Sequence, residues 1–339
     1  MQAAVVTKYG PPEVLQLREW PTPQPSAGEI LIRTKAIGLN FAELIQRMGY
    51  YPETPLPPFI PGLEVCGVVE KVGTGVKGFS RGDRVMSFMK RGAYAEYVAV
   101  PAERAVPLPA KVPFEHGATL GVSYFTAYHG LITLANLQKG EKLLQHAAAG
   151  GVGTAAIQLA KLRGAEIFAT ASSPQKLEVA RKEGADHLIN YEEEDFVDVV
   201  RQTTKGYGVD VVMDSVGGTT FRKGWKLLAP VGRYVLYGFA GVTNRRGIGK
   251  LTALKEFALI PLIYPPSLLQ RNVGLLCFNL FFLTHKVEYF TRLSRTLLKL
   301  YAEKKIRPVV GKSFSFDNIA EAHAYLQSRQ SYGKVVVLV

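Results

Sequence analysis

The sequence predicts an α/β protein of two domains, one β-rich and one built on a doubly wound parallel sheet. Three observations predict it. The 339 residues are enough to bury two hydrophobic cores. A glycine-rich run in mid-chain stands between a strand pattern and a helix pattern. The patterning also changes along the chain: about the first 120 residues read as strands, and from about Thr126 to Gly241 strands alternate with helices, the signature of a parallel sheet.

In chain order, Val5-Val6, Ile30 to Ala36, Val65 to Val72 and Tyr94 to Val100 read as strands. Pro21 to Pro25 and Pro55 to Pro58 punctuate them as loops. Next, Lys142 to Gln145 reads as a strand, His146 to Gly153 as a turn of small residues, and Thr154 to Ala160 as a helix. Further strands follow at Glu166 to Ala171, Val209 to Asp214 and Arg233 to Tyr237. The tail from about Val287 holds two helical patterns and a closing strand, Lys334 to Val339.

A strand that stops at Ala and Gly and restarts as a helix builds a pyrophosphate cradle. The missing side chains let the backbone approach the phosphates, and the helix N-terminus offers free N–H groups and a positive dipole end. Ala149, Gly150, Gly151, Val152 and Gly153 form this cradle, and the following strand completes the βαβ context the motif requires. The alternative is a tight structural turn in some other α/β protein.

Composition narrows the classes. Apolar residues make up 47% and charged residues 20% of the chain, ordinary values for an α/β protein. Two cysteines, Cys66 and Cys277, are too few for a disulfide scaffold or a four-thiolate zinc site and fit a reducing cytoplasm. The N-terminus carries no basic and apolar leader pattern, so no secretory signal is read. The net charge of +13 is scattered, its densest groups being Arg245-Arg246 with Lys250 and Lys304-Lys305 with Arg307. No nucleic-acid motif accompanies it, and it reads as solvated surface that helps steer an anionic cofactor. The stretch Phe257 to Leu283 is apolar, but Pro261, Pro265, Pro266, Arg271 and Asn272 cut it too short to span a bilayer. A buried helix plus strand, an apolar lid or dimer surface, and an interfacial membrane contact remain as its readings.

Beyond these local readings, the order of parts resembles the medium-chain dehydrogenase/reductase superfamily, in its zinc-free quinone oxidoreductase branch. The resemblance covers nearly the whole chain. Its carriers are Gly38 to Leu44, Pro61 to Val69, Gly82-Asp83-Arg84-Val85, the cradle, and Asp214-Ser215-Val216-Gly217-Gly218. Gly217-Gly218, the apolar segment before the tail and Ile306-Arg307-Pro308 resemble the subfamily named for the synaptic vesicle membrane protein VAT-1. The resemblance implies a GroES-like β-rich catalytic domain over residues 1–124, completed by 285–339, and a Rossmann domain over 125–284, with the active site in the cleft between them. In zinc-dependent relatives a Cys and a His hold the metal where this chain has Asn40 and Leu63. A carboxamide and an aliphatic side chain cannot supply such a site, so no metal is expected. Hydride addition to an already electrophilic quinone or α,β-unsaturated carbonyl is the easier reaction.

The coenzyme follows from the end of the second parallel strand. An NAD reader usually carries Asp or Glu there, and this chain has Ser172-Ser173-Pro174-Gln175-Lys176. Hydroxyls and an ammonium welcome a 2′-phosphate that a carboxylate would repel. The resemblance adds Tyr191 beside Lys176 and points to NADPH; the plain alternatives are a helix N-cap at Ser172-Ser173 and an exposed first-turn Lys176. The resemblance also places Asn40 near the nicotinamide ribose, Gly238-Phe239 with Phe278-Asn279 around the ring, and Val216 among the cofactor-binding residues. Asn40 could equally be a turn residue, and Phe278 core. The proton that reduction requires would come from a tyrosine or a water; Tyr51 and Tyr124 are the candidates, with a structural role open for each. His146 reads as a strand-end residue.

The expectation is therefore an NADPH-dependent, zinc-independent reductase of quinones or enones, cytoplasmic and homodimeric through edge strands near Leu275 to Leu280. Two alternatives accompany it. One is an NADPH-binding protein with little turnover and a weak peripheral membrane contact; the other is an enoyl-thioester reductase.

Overall fold

The computed structural model describes residues 1–244, 247–248, 254–256, 258–260 and 263–339. Arg245, Arg246, Lys250, Phe257 and Pro261, which the sequence reading used, lie outside the described residues. The chain divides into two compact units: residues 1–125, 281–302 and 307–339 form one, and residues 126–280 with 303–306 form the other.

In the first unit, β1 (Gln2–Val6) and β2 (Leu15–Glu19) make an antiparallel hairpin. A larger sheet is built on β3 (Glu29–Leu39), whose successive residues are mostly shielded on both faces. Along β3 lie β4 (Glu64–Val72) on one side, and β6 (Tyr97–Pro101) with the last strand of the chain on the other. β5 (Arg84–Phe88) and β7 (Ala105–Pro107) extend the sheet beyond β4. The β3–β4 register slips between Thr34 and Ala36. Gly67 stands at this slip, where a Cβ would lie 2.1 Å from the Arg33 carbonyl oxygen, so the close backbone approach requires glycine. Helix α1 (Phe41–Arg47) begins at Asn40, which is extended; the Glu43 carboxylate accepts the Asn40 N–H at 2.7 Å, one half of a capping box.

The second unit is a six-stranded, all-parallel sheet. Its strands are β8 (Lys142–Gln145), β9 (Glu166–Ala171), β10 (His187–Asn190), β11 (Val209–Asp214), β12 (Leu228–Leu236) and, after a two-residue antiparallel pair, β13 (Thr243–Asn244) with β14 (Gly247–Ile248), β15 (Gly274–Cys277). The order across the sheet is β10-β9-β8-β11-β12-β15, so the winding reverses between β8 and β11. Val211, Val212 and Met213 of β11 are fully shielded, as a central strand covered on both faces must be.

The chain then returns to the first unit with the helix Val287–Ala302, β16 (Val310–Ser315), the helix Ile319–Gln327 and β17 (Lys334–Leu338). β17 pairs antiparallel with β3 and parallel with β16.

Two expectations change. The strand read over Tyr94 to Val100 begins at Tyr97, and Tyr94 lies before it, completely buried. Within the apolar stretch, the helix Pro265–Arg271 has no buried residue, and Leu269 is 78% exposed. Among the described residues of that stretch the helix is therefore not buried, whereas the strand read with it is present as β15 and Leu280 and Phe281 after it are buried. No helix among the described residues is long and apolar enough to cross a membrane.

Candidate functional site

Because every strand of the second unit's sheet runs the same way, their carboxyl ends share one edge. The residues the sequence marked for a dinucleotide emerge there strand by strand. Tyr191 follows β10, Ser172 and Ser173 follow β9, and the cradle follows β8; Val216 follows β11, Gly238 and Phe239 follow β12, and Phe278 and Asn279 follow β15. The cradle lies where the winding reverses, the place where open α/β sheets bind ligands.

The cradle turn is tied to both neighbouring strands. His146 N–H donates to Met213 O at 3.1 Å, and Ala148 N–H to Thr170 O at 3.0 Å. The helix Gly151–Leu162 starts directly after the extended Gly150. The N–H groups of Gly151, Val152 and Gly153 belong to its first turn and have no acceptor within the helix. A Cβ on Gly153 would lie 2.4 Å from the carbonyl oxygens of Ala147 and Ala148, so the helix rests on the turn only because that residue is glycine. His146 itself is buried; its Nδ1 lies 3.0 Å from Thr170 Oγ1 and its ring packs edge-on to Phe196. Burial lowers its pKa, and it stays neutral.

At the end of β9, Ser173 caps the next helix by accepting the Lys176 N–H at 3.4 Å, and Lys176 Nζ lies 3.4 Å from Ser172 Oγ. Tyr191 N–H donates to Ala171 O at 3.2 Å, which sets Tyr191 beside this corner with its side chain exposed. Further along the edge, buried Asp214 accepts the N–H groups of Val216 at 2.6 Å and Gly217 at 3.2 Å, and the Tyr234 hydroxyl at 2.8 Å. Ala240 and Gly241 N–H donate back to Ser215 O and Val216 O, locking the two loops together. Phe278 stacks on Tyr237 with ring centroids 6.1 Å apart and meets His129 edge-on at 4.7 Å. His129 was not singled out by the sequence; its pKa is lowered by burial.

The first unit holds Asn40, Tyr51 and Tyr124. Tyr124 is 1% exposed, whereas Tyr51 is half-buried with its ring edge-on to Phe281 at 5.3 Å. Around Asn40 lies a buried polar cluster that sequence reasoning missed. Lys334 Nζ sits 2.5 Å from Glu64 Oε1 and 2.6 Å from Asn40 Oδ1, and Glu64 Oε2 accepts the Val122 N–H at 2.7 Å. Glu43 Oε2 accepts the Tyr94 hydroxyl at 2.6 Å, and Glu43 Oε1 accepts the Leu63 N–H at 2.8 Å. Tyr94 Oη lies 2.9 Å from His323 Nε2, and His323 Nδ1 lies 3.1 Å from Arg47 Nη1. A guanidinium only donates, so Nδ1 accepts and Nε2 carries the proton, giving a directed chain Arg47 to His323 to Tyr94 to Glu43. Burial pushes the Glu43 pKa up to about 7, against the lowering pull of the Tyr94 and Asn40 hydrogen bonds and of Lys334. Burial and Arg47 hold His323 well below its ordinary value, so it is neutral. The available signal was weak: a Lys at the head of an apolar strand reads as solvent-facing. Beside this cluster, Glu64, Ser87, Phe88, Phe125, Phe290 and Ser294 help line a cavity of about 40 Å³, room for roughly two or three waters.

The residues at the metal position of zinc-dependent relatives do not fit zinc. Leu63 has no donor atom, and the Asn40 oxygen already faces an ammonium that would repel a cation. Among the described residues no group of three or more His, Cys, Asp or Glu could hold a metal ion.

Comparison with known proteins is consistent with this geometry. Residues 26–110 match the family described as alcohol dehydrogenase GroES-like domain, and residues 151–266 the family described as zinc-binding dehydrogenase. The synaptic vesicle membrane protein VAT-1 homolog of Rattus norvegicus is 36% identical over all of this chain and 84% of its own length. The human quinone oxidoreductase is 31% identical over all of this chain and 98% of its own. Among solved structures, the Escherichia coli quinone oxidoreductase complexed with NADPH superimposes with a TM-score of 0.87 at 33% identity, over the full length of both chains. The chain thus belongs to the medium-chain dehydrogenase/reductase family and is a quinone oxidoreductase-like enzyme of the branch that also holds the VAT-1 homologues.

Proposed function

We propose that this protein is an NADPH-dependent reductase of quinones and activated α,β-unsaturated carbonyls that works without zinc. One observation carries the reading: the candidate dinucleotide residues stand in a row along the carboxyl edge of the parallel sheet, with the cradle at the reversal point. On this reading the first-turn N–H groups of Gly151, Val152 and Gly153 bind the pyrophosphate. Ser172, Ser173, Lys176 and Tyr191 take the 2′-phosphate and adenosine. Lys176 lies in the first turn of a helix, where the macrodipole disfavours a cation. A bound phosphate removes that penalty, which favours NADPH over NADH.

NADPH supplies the hydride, and the protein's residues bind, orient and shield. Val216, Gly238, Phe239, Phe278 and Asn279 hold the nicotinamide ring. Without a Lewis acid the acceptor must already be electrophilic, and conjugation in a quinone or enone spreads the charge that forms. A hydroxyl can steady the developing oxyanion only if substrate reaches it; we assign that role to half-buried Tyr51 rather than to Tyr124, which is 1% exposed.

We also assign a homodimer, cytoplasmic in setting, through the edge of β15, whose far side has no partner strand among the described residues. The test of function is oxidation of NADPH and NADH by chelator-treated protein with 9,10-phenanthrenequinone and a small enone. Turnover with a strong NADPH preference is expected, and Lys176→Ala should lower that preference about tenfold, in line with the loss of a charge-assisted hydrogen bond. Tight NADPH binding with no turnover on either acceptor would refute the reductase reading.

A further inference from the structure

Asp214 is fully buried at the carboxyl end of β11 and, among the described residues, joins no ion pair. Elsewhere in the same unit the partly exposed Glu141, Glu166, Asp186 and Asp195 each pair with a Lys or Arg. The Asp214 oxygens accept two backbone N–H groups, of Val216 and Gly217, and the Tyr234 hydroxyl. A neutral Asn would offer the same two N–H groups an acceptor of the same shape. Buried His146 supplies no counter-charge: the Asp214 charge draws its pKa up, but burial outweighs that pull and keeps the ring neutral. A buried charge without a counter-charge is costly, so loop geometry alone does not account for a carboxylate here.

The carboxylate is hydrogen-bonded to the loop that the proposed function sets against the nicotinamide ring. Hydride transfer breaks the C4–H bond of NADPH and sends the hydrogen with its electron pair to the acceptor. The ring goes from neutral to singly positive, and the acceptor gains the negative charge. A fixed negative charge in a dry interior is little screened, so it favours the positive ring over the neutral one. Asp214, Val216, Gly217 and Tyr234 all belong to the second unit.

We propose that Asp214 is a built-in counter-charge for the oxidised nicotinamide ring, which makes the bound coenzyme a stronger hydride donor by favouring NADP+ over NADPH. The inference rests on the proposed placement of the ring at Val216, Gly238 and Phe278. Asp214 acts through its charge and does not touch the cofactor.

The test compares dissociation constants of NADPH, NADP+ and 2′-phospho-ADP-ribose, which lacks the ring, on the full-length protein. Asp214→Asn should weaken NADP+ relative to NADPH about tenfold, the size of effect that one unit charge exerts at an effective dielectric of about 20. For this two-electron couple a tenfold change raises the potential of the bound coenzyme by about 30 mV. Affinity for 2′-phospho-ADP-ribose should stay at the wild-type value. A merely structural role would weaken both coenzymes equally, and an unchanged ratio overturns the inference. Phe278→Ala tests the ring placement separately: it should weaken NADPH and NADP+ but not 2′-phospho-ADP-ribose. Wild-type NADPH affinity in Phe278→Ala, or equal loss of the ringless compound, overturns the ring placement and the inference with it. If Phe278→Ala behaves as expected while the Asp214→Asn ratio is unchanged, the counter-charge alone falls. Should Asp214→Asn fail to fold, Tyr234→Phe decides. It removes the hydroxyl that donates to Asp214 Oδ2 at 2.8 Å and leaves more of the carboxylate's field to the ring. Preference for NADP+ should then rise about twofold to threefold; an unchanged or reduced preference overturns the inference.

Discussion

At the end of β8 the polar groups are backbone N–H groups of Gly151, Val152 and Gly153, whereas around Asn40 they are side-chain charges closed into a core. Both regions depend on glycine, for reasons that overlap only in part. Gly153 lets one piece of backbone lie on another; Gly38 does so against the Ala118 carbonyl and, with Gly121, also leaves space for a carboxylate and an ammonium. The difference teaches how each site tolerates change. A backbone site is indifferent to most side-chain chemistry but not to an added carbon. A charged core site fails when either charge loses its partner.

The largest expected effect breaks the comparison at these glycines. Gly38→Ala puts a carbon 2.3 Å from the Ala118 carbonyl oxygen and against both members of the ion pair, and should destabilise the protein by about 3–5 kcal/mol, as breaking a buried pair does. Gly153→Ala strains only the helix–turn contact and should cost about 1–3 kcal/mol while weakening NADPH binding. Denaturant unfolding of the two variants checks the order. Equal losses would mean that the ion pair adds nothing to the sensitivity of its site.

A second prediction separates the regions by pH. Glu43 is driven from 4.5 to about 7 in the folded protein by burial. Its folded pKa is raised, so the unfolded chain loses this proton first, and stability falls as pH rises from about 4.5 to about 7. The penalty reaches about 3 kcal/mol above that window, at 1.36 kcal/mol per pKa unit. His323 and His146, buried and neutral, act in the other sense and destabilise the fold below about 6.5. They are common to wild type and Glu43→Gln, so the stability difference between the two isolates Glu43. That difference should shift against the wild type across the window; a difference flat with pH would show that Glu43 stays ionised.

The smallest effect concerns Val231 in the second unit, away from both sites. It is a β-branched residue at φ 66°, 71% exposed, with its N–H donating to Asn272 O at 2.7 Å. Left-handed backbone disfavours a β-branched side chain. Val231→Gly should raise stability by up to about 1 kcal/mol in thermal unfolding and leave NADPH affinity unchanged. A loss of stability would mean that glycine's greater freedom in the unfolded chain outweighs the relieved strain.

The cradle was legible because its five residues are consecutive: a strand, small residues and a helix can be read from local pattern alone. The corner at Ser172, Ser173 and Lys176 was legible for the same reason, and the structure confirms one of its plain readings, since Ser173 does cap a helix. The Asn40 cluster was not. Its partners Asn40 and Lys334 stand 294 positions apart, and nothing near Lys334 distinguishes it from a solvent-facing strand residue. His323 and Tyr94 likewise reveal themselves only as members of one hydrogen-bonded chain. The apolar stretch Phe257 to Leu283 kept several readings open because apolar composition reports what a segment could bury, not whether a neighbouring layer exists to bury it; only the structure shows Pro265–Arg271 with no buried residue.

By itself, then, the sequence determined the two-part α/β plan, the strand–small-residue turn–helix unit at Ala149 to Gly153 and the unsuitability of Asn40 and Leu63 for zinc, since each rests on short-range pattern or on the chemistry of single side chains. Tertiary structure alone decided the charge environment of Asn40, the pKa of Glu43 and the neutrality of His323. Those depend on burial and on partners brought together from distant parts of the chain, and desolvation has no counterpart in a linear sequence.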